Sequence, residues 1–127
     1  MLIELNLQHN QLHQSKLLLN VLPHSLQILN VSFNDIDSLD SFPYLPQLER
    51  LNVEGNAINT SSINFMKLQS KIPSLQHLQL NNKFVNLSSI QIAFPELLTL
   101  DGEIMGLKKQ VIYLEIKTEV HLMFYLL

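Results

Sequence analysis

Five histidines, a single arginine and a regular series of asparagines are the side chains in this sequence whose chemistry asks first for an explanation. His9 and His13 are four apart, but they straddle a turn rather than share a helical face, and no acidic residue partners them. His77 lies near Arg50, not beside a pair of carboxylates that could exchange a proton. No glycine-rich phosphate loop, H-E-x-x-H or G-x-S-x-G occurs. Without cysteine there is no thiolate nucleophile, no thiolate metal site and no disulfide. The sequence therefore predicts no catalytic residue, no metal ligand and no cofactor, with the histidines solvated. The asparagines differ: Asn10, Asn34 and Asn56 each close an apolar phrase, and their spacing predicts a structural ladder.

The composition narrows the class of protein. Of 127 residues, 46% are apolar and 15% charged, too apolar for a disordered chain. A net charge of −3 lacks the clustered Lys and Arg of a nucleic-acid binder, so no direct nucleic-acid contact is expected. The start, Met1-Leu2-Ile3-Glu4-Leu5-Asn6, has neither a basic segment nor a continuous apolar one, and the longest apolar run is Leu122 to Leu127. A signal peptide and a membrane span are therefore not expected, and the location reads as intracellular, cytoplasmic or nuclear. The sequons at Asn30, Asn59 and Asn86 carry little meaning in such a chain.

Leucine fills 27 of the 127 positions, which points to a repeat. One phrase recurs: Leu2-x-x-Leu5-x-Leu7-x-x-Asn10-x-Leu12, then Leu26-x-x-Leu29-x-Val31-x-x-Asn34-x-Ile36, then Leu48-x-x-Leu51-x-Val53-x-x-Asn56-x-Ile58. A fourth, from Leu75, has Lys83 where Asn is expected, with Asn81 and Asn82 nearby, so that turn reads as irregular. A fifth, from Leu97, breaks off after its start. Alternating leucines make a strand with one apolar face, which a single strand cannot bury. Stacked in register, such strands bury it together.

These residues resemble the leucine-rich repeat over positions 2–104. The resemblance implies an α/β solenoid, a right-handed horseshoe with a parallel concave sheet of about five strands, near 4–8, 28–32, 50–54, 77–81 and 99–101. Residues 105–127 would then be a C-terminal cap or docking tail. After Ile36, apolar residues recur every third position at Leu39, Phe42, Leu45 and Leu48, which predicts a 3₁₀-like or extended return. That 22-residue pattern resembles the intracellular subfamily typified by a regulator of protein phosphatase 1. The return from Ser61 to Pro73 reads as a short helix with Ser61 or Ser62 as N-cap, Phe65, Leu68 and Ile72 on one face, and Pro73 as its stop. The first return, with Leu17 to Leu19, reads as helical too. Phe94 to Gly102 resembles the closing repeat of mRNA-export receptors, acidic nuclear phosphoproteins and axonemal proteins.

Three columns of side chains alternate outward from such a sheet: Glu4, Ile28, Arg50, His77 and Thr99; Asn6, Asn30, Asn52, Gln79 and Asp101; Gln8, Ser32, Glu54, Asn81 and Glu103. His9, Phe33, Gly55 and Asn82 stand beside the last. The expectation is a non-catalytic protein–protein interaction module, a scaffold that binds a protein partner on Ile28, Phe33, Arg50, Glu54 and His77, with Phe33 and Arg50 carrying most of the affinity. One alternative is a structural subunit buried in a large assembly through apolar ends. Leu2 already belongs to the first strand, which leaves no N-terminal cap. Val111 to Leu127 holds 12 apolar residues in 17, so association through both ends is the corresponding expectation. A further alternative is an accessory domain of an RNA-export or RNA-processing factor.

Overall fold

The computed structural model describes residues 1–12, 21–81 and 85–105. The helical expectation for Leu17 to Leu19, the residues Asn82 and Lys83 of the fourth turn, His13, and the tail beyond Met105 lie outside the described residues. The described part is mixed α/β, built on an open six-stranded, mostly parallel sheet in sequence order. Its strands are β1 (Glu4–Asn6), β2 (Ile28–Asn30), β3 (Arg50–Asn52), β4 (His77–Gln79), β5 (Thr99–Leu100) and β6 (Glu103–Ile104). β1 to β5 are parallel, and β6 folds back antiparallel onto β5.

The register follows the leucine pattern. Leu5, Leu29, Leu51, Leu78 and Leu100 lie side by side across five strands, and the last four are buried at 6% exposure or less. A one-residue slip would turn this whole row to the opposite face, so the burial fixes the register. Strand entry repeats a second device. The N–H groups of Gln27 and Ile28 share the Ile3 carbonyl, and those of Glu49 and Arg50 share that of Gln27. Gln76 and His77 likewise share the carbonyl of Glu49, and Leu98 and Thr99 that of Gln76, all at 2.8–3.1 Å.

The connections pack their apolar residues beneath the sheet. Leu39, Phe42, Leu45 and Leu48 are all buried, and isolated i→i+3 bonds join Phe42 N–H to Leu39 and Leu48 N–H to Leu45, both 3.2 Å. These are turns of 3₁₀ type rather than a continuous helix. The third connection holds a 3₁₀ turn, Thr60–Ser62, and then α1, Phe65–Lys71. Its N-cap is Asn64, whose side chain accepts from Lys67 N–H at 3.0 Å, not Ser61 or Ser62. Asn59, whose side-chain oxygen takes both the N–H and the hydroxyl of Ser61, starts the 3₁₀ turn instead. A second helix, α2 (Leu87–Ala93), is capped by Asn86 through Ser89 N–H at 3.3 Å. Its buried Ile90 and Ala93 stand three apart on one face. No described helix is long and apolar enough to cross a membrane.

Candidate functional site

Two of the asparagines after the strands, Asn34 and Asn56, each make four hydrogen bonds to described backbone groups. Asn34 Nδ2 donates to the carbonyls of Val31 (2.9 Å) and Ser32 (3.1 Å) in its own turn and of Leu7 (3.0 Å) in the preceding one. Its Oδ1 accepts from Leu12 N–H at 3.1 Å. Asn56 repeats the set on Val31, Val53 and Glu54, and takes Ile36 N–H. Each amide thus ties two successive turns: its oxygen takes the N–H of Leu12 or Ile36, and its nitrogen adds a donor to carbonyls such as those of Ser32 and Glu54, which also accept from His9 and Phe33 N–H. Asn10, in the turn after the edge strand, bonds among the described residues Leu7 and Gln8 of its own turn. At the far end Asp101 Oδ1 accepts from both Leu80 and Asn81 N–H at 2.7 Å.

The fourth turn differs in backbone as well. His9, Phe33 and Gly55 occupy equivalent places and all have positive φ (58°, 54° and 68°), and in the fourth copy Asn81, which corresponds to Gln8, Ser32 and Glu54, has positive φ (52°) where those three do not. Asp101 and Gly102 also have positive φ, 50° and 81°, the two-residue turn that lets β6 reverse. Asp101 and Glu103 therefore do not extend the outward columns: the chain turns back before reaching them.

A second amide series lies four residues earlier, at the last residue of each of the first three strands. Asn6, Asn30 and Asn52 are aligned, and each side-chain oxygen accepts the N–H two residues on: Gln8 (3.1 Å), Ser32 (3.0 Å) and Glu54 (3.0 Å). Asn30 Oδ1 also takes the Ser32 hydroxyl at 2.6 Å. Because a backbone N–H can only donate, these bonds settle which end of each amide is oxygen. The sequence pattern placed these asparagines on the outward face but carried no sign of this turn-closing role.

The outward face itself is one row. Glu4, Ile28, Arg50, His77 and Thr99 lie in register across β1 to β5, and together with Asn6, Asn30, Asn52, Gln79 and Gly102 they line an open cavity of about 330 Å³. His77 Nδ1 sits 2.8 Å from Thr99 Oγ1. Burial holds the His77 pKa below its ordinary value, the Arg50 guanidinium beside it adds to that, and Glu49 opposes it. No hydrogen bond or ion pair joins the Arg50 guanidinium to another described residue.

Of the five expected contact residues, Ile28, Arg50 and His77 meet in this cavity, whereas Phe33 and Glu54 are not among the residues that line it. Phe33 stacks on His9 with ring centroids 4.7 Å apart and planes within 1°. Its other side lies over Gly55, where an added Cβ would come within 2.3 Å of Phe33 Cδ1. Glu54 accepts a long 3.4 Å contact from Asn52 Nδ2. The sequence columns carried no sign of the Phe33 stack, because its geometry depends on the positive-φ turns. Among the described residues no three His, Asp or Glu side chains converge as metal ligands would. Compared with protein-family models, curated proteins and solved structures, the chain matches none.

Proposed function

We propose that the chain is a short leucine-rich-repeat solenoid of the intracellular kind its sequence resembles, acting as a non-catalytic module that binds a protein segment on the concave face of its sheet. One observation carries the reading: an aligned row of Ile28, Arg50 and His77, held on rigid strands, lines an open groove in which the arginine has no described partner. Apolar, cationic and amide groups at fixed spacing suit recognition of a polypeptide. His77 is bonded to a hydroxyl rather than a carboxylate, which is poor equipment for acid–base chemistry.

A second reading, a structural subunit, draws on a different place. Edge strand β1 leaves Leu2 at 45% exposure and Leu5 and Leu7 only half-buried. Affinity capture with paired variants separates the two. Ile28→Asp with Arg50→Glu is expected to abolish partner recovery, while Leu2→Lys with Leu7→Gln leaves it intact. The reverse outcome would transfer the function to the edge.

A further inference from the structure

The polar groups of the groove are not a neutral mixture. Asn6, Asn30 and Asn52 spend their oxygens on their own turns, so what they offer outward is Nδ2–H. Among the described residues, Asn30 and Asn52 have only 3.4 Å contacts, with Gln8 Oε1 and Glu54 Oε1, for those donors. Arg50, with donors only, stands between Ile28 on one side and His77 on the other. The centre of the groove is thus rich in donors and short of acceptors, and it carries one fixed positive charge.

The two ends of the row bound the ligand. Strands lie about 4.8 Å apart, so Glu4 to Thr99 spans about 19 Å, which an extended chain at about 3.3 Å per residue covers in about six residues. Glu4 stands two strands from Arg50, about 10 Å, or three extended residues. A polyanion such as single-stranded RNA would have to pass Glu4 and lie close to Glu54, which disfavours it. A single carboxylate would not.

Resting on the concave-face reading above, we propose that the groove recognises an extended peptide of about six residues running across the strands, with one acidic side chain on Arg50, an apolar side chain on Ile28 and a basic or neutral residue toward Glu4. Backbone carbonyls of the peptide take the Nδ2–H groups of the asparagine row. The carboxylate pairs with the exposed guanidinium, a charge-assisted contact at the middle of the row.

The test is selection of a phage-displayed random hexapeptide library on the purified full chain, with winners remade as fluorescent peptides. Enrichment of an acidic residue next to an apolar one is expected. The selected peptides should bind at least tenfold more weakly when that acid is replaced by its amide, and similarly on Arg50→Gln. Arg50→Glu should restore binding to the peptide carrying Lys in place of the acid. Peptides that are lost on Ile28→Asp but show no acidic preference, and bind Arg50→Gln as well as the parent, would overturn the acidic-ligand inference and spare the concave-face reading. Peptides indifferent to both substitutions, or no enrichment at all, would overturn both. Tighter binding of a six-nucleotide RNA than of any hexapeptide would replace the peptide by a nucleic acid. Circular dichroism of each variant confirms that it is folded.

Discussion

At the scale of single residues, position in the ladder decides what an asparagine is worth. Asn34 is 6% exposed and serves four backbone groups in two turns, whereas Asn10 serves two in one. Removing Asn34 takes one donor from three carbonyls that each keep another, from Asn10, Asn56 and His9, and leaves the Leu12 N–H without its acceptor, so Asn34→Ala is expected to cost about 1–3 kcal/mol in urea unfolding and Asn10→Ala about 1 kcal/mol or less. Equal losses would contradict the cross-turn role. Gly55 carries a different constraint. Its φ of 68° is strained for any L side chain, and a Cβ would collide with Phe33. Gly55→Ala should therefore cost about 2–4 kcal/mol in the parent but only about 1 kcal/mol, the backbone part, in a Phe33→Ala background. His77 gives a pH signature. Its folded pKa is below the ordinary 6.5, so the unfolded chain takes up the proton more readily. Stability then falls as pH drops through 6.5 and levels off below the folded pKa. His77→Gln keeps a partner for Thr99 and should flatten that part of the melting-temperature profile. An unchanged slope would assign it to other groups.

At the scale of elements, caps and turns were legible in part. The burial of Phe65, Leu68 and Ile72 follows from their spacing, but the choice of Asn64 over the preceding serines depends on where the 3₁₀ turn ends, which no propensity fixes. Helix α2 was missed because Leu87 and Ile92 are exposed at 53% and 72% and blur its apolar stripe. Asn86 with Ile90, Ala93 and Phe94 was the available signal. Strand β6 was missed although Asp101-Gly102 is a strong hairpin dipeptide, because the repeat pattern drew attention to the column rather than the turn. Asn64→Ala and Asn86→Ala are each expected to lower stability by about 1 kcal/mol, with hydrogen exchange accelerating first in the capped helix. Acceleration spread evenly over the sheet would mean that these helices do not open locally.

At the scale of the whole molecule, the leucine spacing was enough to align five strands, because each half-buried strand has only one register that hides its leucines. It was not enough to bring Phe33 and Glu54 into the groove with Ile28, Arg50 and His77. Those two side chains leave from turns whose direction is set by positive-φ backbone and by stacking on Gly55. The groove is thus lined by fewer of the expected contact residues than an alternating pattern implies, and Phe33 is taken up by its stack on His9. The central claim is that a protein segment lies along this row. It is tested most directly by placing a photo-cross-linking amino acid at Ile28 in the groove and, separately, at Met66, which is 58% exposed on α1. Irradiation in cells should yield a discrete protein adduct from position 28, lost on Arg50→Glu, and none from position 66. An adduct from position 66 alone would contradict the account.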